Sequence, residues 1–225
     1  MWIIITLAAA TFQILRTSRQ HELRSVLSTS AAGYVRYAYG APLAVALGAV
    51  LFMALGRDLP TIPARFWPIV AAAAVSQIIG TVALLAAFKL RDFAIGTVYS
   101  KSEVLIVAGL GAVGIGTGLE PLGWIGPVLV TIGVAWLASK GSLFGLLRQA
   151  GDPAALMGLL AAAGFAGAAI GIRAASRALT DAPSFDRAVL TLTVLLLVQT
   201  LLNTGWFVVT DPSELTRVGR AWRPA

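Results

Sequence analysis

The sequence predicts an all-α membrane protein, a polytopic bundle of seven transmembrane helices, on three observations. Of its 225 residues, 58% are hydrophobic and only 12% charged, with a mean hydropathy of +0.84, far outside the range of soluble globular domains. Apolar runs recur along the whole length. Each is close to the roughly 20 residues that a helix rising 1.5 Å per residue needs to cross about 30 Å of hydrocarbon. Breakers separate the runs: residues 56–63, Glu120-Pro121, Gly151-Asp152-Pro153 and Asp211-Pro212 carry the glycine and proline that end helices.

The seven runs are 2–15, 38–55, 66–88, 93–115, 122–138, 154–172 and 188–209. Only helices suit runs of this length, because a lipid-exposed backbone must satisfy its own hydrogen bonds. Trp2, Trp67, Trp124, Trp136 and Trp206 fall near run boundaries, where an amphipathic ring prefers the headgroup level. The first run has no basic residue before it and Arg16 and Arg19 after it. A secretory signal has the reverse order, so this is a retained helix, extended over 13–27 as an amphipathic tail. The last stretch, 211–225, reads as an interfacial lead into an eighth helix.

Small residues cluster where helices need to approach closely. Gly109, Gly111, Gly114, Gly116 and Gly118 crowd the end of the fourth run, and Gly158, Gly164, Gly167 and Gly171 space the sixth at small-xxx-small intervals. Tight packing is the plain reading; a flexible gate is the sharper one.

The fourth run holds the anomaly. Lys101 and Glu103 lie inside it, Lys101 about 12 Å along from Phe93 and so near the midplane. Each costs about 2.5 to 3.5 kcal/mol at such depth. Two residues subtend about 200° of an α-helix, so the two charges are expected to point to opposite sides. Glu103 shares its face with Tyr99. Each charge then needs water or a partner on another helix, and the candidates are Arg36, Gln77, Gln199 and Asn203. A buried glutamate among helices can also carry a proton, which suits coupling to a gradient. Two alternatives stay open: a loop up to Glu103 with the helix starting at Val104, and a static internal ion pair without a transport role.

Composition excludes other classes. The net charge is +7 with a pI near 10.6, but the 17 basic residues lie singly or in pairs between apolar runs, which fits lipid headgroups and not nucleic acid. There is no cysteine, so no disulfide or thiolate metal site, and no cofactor or metal is implied. The single histidine, His21, sits in a polar segment as a surface residue. A membrane-embedded lipid enzyme would need clustered nucleophiles, histidines or acids in its loops, whereas Lys140-Gly141-Ser142 is too short a signal to count. The chain is therefore expected not to be an enzyme.

Basic residues also bear on orientation. Linkers after runs one, three, five and seven hold ten: Arg16, Arg19, Arg24, Lys89, Arg91, Lys140, Arg148, Arg217, Arg220 and Arg223. The other side holds five, Arg57, Arg65, Arg173, Arg177 and Arg187, which by the positive-inside rule puts the N-terminus outside. An internal echo accompanies this count. Ile14-Leu15-Arg16 with Ser18-Arg19 is matched by Gly171-Ile172-Arg173 with Ser176-Arg177, and Arg36 or Arg187 opens the helix that follows.

FQILRTSRQHEL, STSAAGYVRYAYGAP, FAIGTVYSKSEVLI and GLEPLGWIGPVLVTIGVAWL together resemble the first five helices of an EamA-like member of the drug/metabolite transporter superfamily. The features that carry the resemblance are Arg36 in VRYAYG, the Gly-x-Glu of Gly118 to Glu120, and Gly126 and Gly133. The resemblance implies ten helices as two inverted five-helix repeats, a central cavity between repeats lined by the third and fourth helices and their neighbours, and export of small metabolites. Residues 1–140 would be the first repeat and 141–225 a partial second one. It further implies a multi-pass bacterial inner-membrane protein with a cytoplasmic N-terminus, against the charge count. The chain departs from the pattern by stopping after seven helices, which suggests a truncated product, a fragment or a half that pairs with another chain, as a homodimer or with a complementing partner. Lys101-Ser102-Glu103 also stands where many relatives are apolar.

The leading functional expectation is thus a secondary transporter of small polar, amino-acid-like solutes, with proton coupling and with Lys101, Glu103, Tyr99, Gln77, Arg36, Gln199 and Asn203 along the solute path. The alternatives are a non-transporting membrane subunit or inactive fragment and, more remotely, a lipid enzyme.

Overall fold

A computed structural model describes residues 2–23, 27–90, 93–115, 120–138 and 152–221. The described residues are helical with no strand. In chain order the helices are α1 (Trp2–Leu23), α2 (Thr29–Ala49, continued by a π-helical turn Val50–Ala54), α3 (Phe66–Leu90), α4 (Phe93–Lys101), α5 (Glu103–Ala112), α6 (Ile125–Ala138, entered through a 3₁₀ turn Pro121–Trp124), α7 (Pro153–Ala178), α8 (Ser184–Thr210) and α9 (Pro212–Arg220). The Lys140-Gly141-Ser142 stretch, Gly116, Gly118 and the boundary between the two expected repeats lie outside the described residues, as does the side chain of His21.

Local chemistry sets the ends. Ser28 caps α2 by accepting from the Ala31 N–H at 3.2 Å, and Asp152 caps α7 by accepting from the Ala154 N–H at 2.9 Å, each satisfying a donor with no partner inside its helix. Pro153 and Pro212 take the first positions of α7 and α9, where their missing N–H costs nothing. Gly56, at φ +62°, ends the π turn after α2 in a left-handed conformation that suits glycine.

Four segments are long and apolar enough to cross a membrane: Thr29–Ala54, Phe66–Leu90, Pro153–Ala178 and Ser184–Thr210. The side-chain distribution along α7 is one that suits lipid. The buried side of α7 is Ala154, Ala155, Gly158, Ala161, Ala162 and Gly164, while Leu156, Leu159 and Leu160 are exposed. In water such an arrangement would leave the largest apolar groups solvated; in lipid it lets backbones close up and turns the bulky chains to the hydrocarbon. Shorter apolar stretches run over Thr6–Leu15 in α1 and Pro121–Gly133.

α3 and α7 form the main seam and run antiparallel. A Cβ on Gly164 would lie 2.7 Å from the Gly80 backbone, one on Gly171 2.8 Å from Ala73 Cβ, and one on Gly158 2.5 Å from Tyr99 Cβ. The glycine spacing of the sixth run is therefore a packing device. Gly109, Gly126 and Gly133 have nothing within 4 Å of a notional Cβ and serve no such seam. α2 and α8 form a second antiparallel pair, joined by Tyr34 Oη to Thr204 Oγ1 at 2.7 Å and by Thr193 Oγ1 donating to the Ala44 carbonyl at 3.0 Å. Arg57 clips the far end of this pair by donating to both carboxylate oxygens of Asp186 at 3.0 and 3.2 Å.

Three expectations change. α2 begins at Thr29, nine residues before the expected start, because its first turns bury Ala31, Ala32, Tyr34 and Tyr37 against protein and need not be uniformly apolar. Arg36 consequently sits inside the helix and not at its mouth. The fourth run is two helices, α4 and α5, divided by a turn at Ser102. The segment after Asp211 does not lead away along the interface: α9 folds back, buries Glu214 and Val218, and receives a 2.7 Å hydrogen bond from Tyr39 Oη to the Val218 carbonyl.

Candidate functional site

Two cavities open between these helix pairs. The first, about 540 Å³, lies among α1, α2, α3, α4, α5 and α7 and is lined by Gln13, Arg36, Gln77, Thr81, Lys101 and Glu103 among others. The second, about 480 Å³, lies among α2, α3, α7 and α8 and extends to the α7–α8 turn. Arg36, Gln77, Ala169 and Ile172 line both, so they form the wall that the two spaces share. Both volumes fall in the ~300–1,000 Å³ range of small-molecule sites.

Lys101 and Glu103 line the same cavity, which corrects the expectation that they face apart. The reason is local. The Ser102 N–H bonds the Tyr99 carbonyl three residues back at 3.2 Å, a 3₁₀-like turn. Two residues then subtend about 240°, or about 120° the short way, against about 160° in a regular α-helix, and both side chains are long enough to close the remainder. Lys101 and Arg36 both interact electrostatically with the Glu103 carboxylate. That is the neighbour relation expected for Arg36. Glu103 also stands in the first turn of α5, where the helix dipole favours an anion. Arg36 further stacks over Tyr37, its guanidinium carbon 5.6 Å from the ring centroid.

A polar layer backs this cavity. Gln199 Nε2 donates to Gln77 Oε1 at 2.8 Å, and Asn203 Nδ2 donates to the Gln199 carbonyl at 2.8 Å. Tyr37 Oη donates to Thr81 Oγ1 at 2.9 Å, and Thr81 Oγ1 donates on to the Gln77 carbonyl at 2.8 Å. Gln77 is thereby fixed from two sides, with its amide at the junction of the cavities. Gln199 is 0% exposed and lines neither cavity; it holds Gln77 from behind, while Asn203 bonds only the carbonyl of Gln199 within their own helix.

Of the residues expected along a path, Lys101, Glu103, Gln77 and Arg36 come together, Gln199 and Asn203 stand behind Gln77, and Tyr99 is elsewhere. Its Cβ packs on α7 in the space left by Gly158, because the α4 face it occupies is the one turned to α7. Sequence reasoning passed over Tyr37, whose position four residues before Ala41 on a buried face carries no charge signal, and treated Arg173, Arg177 and Arg187 as loop charges. The i, i+4 spacing of Arg173 and Arg177 was the available sign that they share a face.

Among the described residues, no cluster of three or more histidine, cysteine or acidic side chains could hold a metal ion. Comparison with protein-family models, with curated proteins and with solved structures returned no match for this chain.

Proposed function

We propose that this chain is an integral membrane transporter for small polar solutes, with the two cavities as successive chambers of one path. The observation that carries the reading is their common wall: Arg36, in the second turn of α2, and Gln77, mid-helix on α3, are the polar residues reached from both. Polar side chains at that depth are costly unless they face water, one another or a solute. In this reading Glu103 is the group that gains and loses a proton as the solute passes, with Lys101 and Arg36 as the cations on the same cavity. The antiparallel pairing of α3 with α7 and of α2 with α8 supports a plan in which 1–140 is one repeat and 141–225 the start of an inverted second one, as in the resemblance to EamA-like transporters.

The test is flux in proteoliposomes loaded with a mixture of amino acids and small organic acids. Glu103→Gln and Lys101→Ala are each expected to lower flux at least tenfold while leaving yield and the elution profile in detergent unchanged. Wild-type flux no greater than in empty vesicles, or wild-type flux retained in both variants, would remove the reading.

A further inference from the structure

We propose that the second cavity is an oxyanion site, built to take a carboxylate or phosphate group. Arg36, Arg173, Arg177 and Arg187 all line it, and no acidic residue does. The first cavity, in contrast, sets Glu103 against Lys101 and Arg36.

Three further observations point the same way. Arg173 and Arg177 are spaced i, i+4 in the last turns of α7, so they share one helix face at a separation that a single anion could bridge. Thr191, 1% exposed, has a buried hydroxyl without a hydrogen-bond partner, and Arg187 has a buried Nε–H in the same condition; both line this cavity. Buried donors are ordinarily satisfied, so two orphans on residues that line one cavity are donors that a small side-chain turn would offer to a ligand's oxygens. Finally, every cation present is a guanidinium, whose planar fork matches a carboxylate or phosphate with paired hydrogen bonds. Arg187 is anchored beside the cavity: its terminal nitrogens reach the Leu179 carbonyl at 3.4 Å and Ser184 Oγ at 3.1 Å.

Resting on the transport reading above, the cargo class follows. Four positive charges select an anion, so the solute is a small organic acid or phosphate ester and not a neutral or zwitterionic compound. The cavity reaches the α7–α8 turn, where a lipid headgroup phosphate would offer the same chemistry.

The experiment is calorimetric titration of the full chain in nanodiscs of phosphatidylcholine with inorganic phosphate, succinate and alanine. Phosphate or succinate is expected to bind at about millimolar concentration or tighter, and alanine not to bind. Arg173→Gln and Arg187→Gln are each expected to weaken binding about tenfold, and Arg220→Gln, on α9 and outside the cavity, to leave it unchanged. Repeating the titration with phosphatidylglycerol in the disc assigns the source: loss of solute binding makes the ligand a lipid headgroup, and persistence makes it a free anion. Failure of wild type to bind either anion, or binding as tight as wild type in both arginine variants, would overturn the site. Anion binding without flux ends the transport reading and leaves the site standing, whereas flux of neutral solutes without anion binding does the reverse.

Discussion

The two sides of α3 solve opposite problems. Toward α7 it presents Ala73, Ser76 and Gly80, and the partner answers with Gly171, Gly167 and Gly164, so close that a Cβ on any of these three glycines would lie within 2.9 Å of α3. Toward α2 and α8 it presents Gln77 and Thr81, held by Tyr37 and Gln199 through side-chain hydrogen bonds. Without a hydrophobic force between helices in lipid, the first side gains its stability from dispersion contacts summed over a close approach. The second gains less but leaves space beside it, and both cavities lie there. The tight seam and the two cavities thus share one helix, α3, on different sides of it.

The most severe way to break that division is Gly164→Leu. Its side chain would have to enter where even a Cβ would be 2.7 Å from Gly80, forcing α3 and α7 apart, at a cost of about 3 kcal/mol or more. The expected outcome is loss of a monodisperse peak in detergent and a lowered midpoint of thermal unfolding; an unchanged midpoint would mean that the seam is not what holds the bundle. A milder perturbation on the opposite side is Gln199→Leu, which removes the donor to Gln77 Oε1 and should cost about 1 kcal/mol, since Gln77 can turn to the water of the cavity instead. The double variant Gln77→Leu, Gln199→Leu is expected to cost less than the sum of the two single changes, because the pair shares one hydrogen bond. Additive losses by thermal unfolding would show that the polar layer is not a coupled unit.

Much of this comparison was legible in the sequence, and unevenly so. The runs 66–88 and 188–209 anticipate α3, Phe66–Leu90, and α8, Ser184–Thr210, within a turn, because lipid sets their length and a tryptophan and a proline mark their ends. The start of α2 was not legible, since Ala31, Tyr34 and Tyr37 bury against protein and lack the uniform apolarity that lipid demands. Lys101 and Glu103 announced a cavity by their cost alone. Their facing was misread because the Ser102 turn is a tertiary feature that no side-chain periodicity encodes. The arginines of α7 and α8 carried the same ambiguity: a basic residue near a helix end reads as a loop charge until the fold shows that a cavity lies under it.

The smallest expected effect concerns how the dry seam is closed at its end. Thr61, in the loop entering α3, donates its N–H to both carboxylate oxygens of Asp181, in the turn leaving α7, at 3.3 and 3.1 Å. Hydrogen bonding by the Thr61 side chain and then its backbone holds the Asp181 carboxyl below its ordinary value of 3.8. A carboxyl depressed in the folded state stabilises above its unfolded pKa, and that contribution disappears as pH falls through the lower folded value. The clip should therefore be intact at neutral pH and release only in acid below about pH 4. Hydrogen exchange at the Thr61 amide is expected to be slower at neutral pH in wild type than in Asp181→Ala, after correction for intrinsic rates, with the difference shrinking as the pH is taken progressively below about 4. Exchange in the α3–α7 seam should not respond to either change, because its contacts involve no titrating group; a seam that loosens along with the clip would mean that the glycine contacts depend on the loop that closes them.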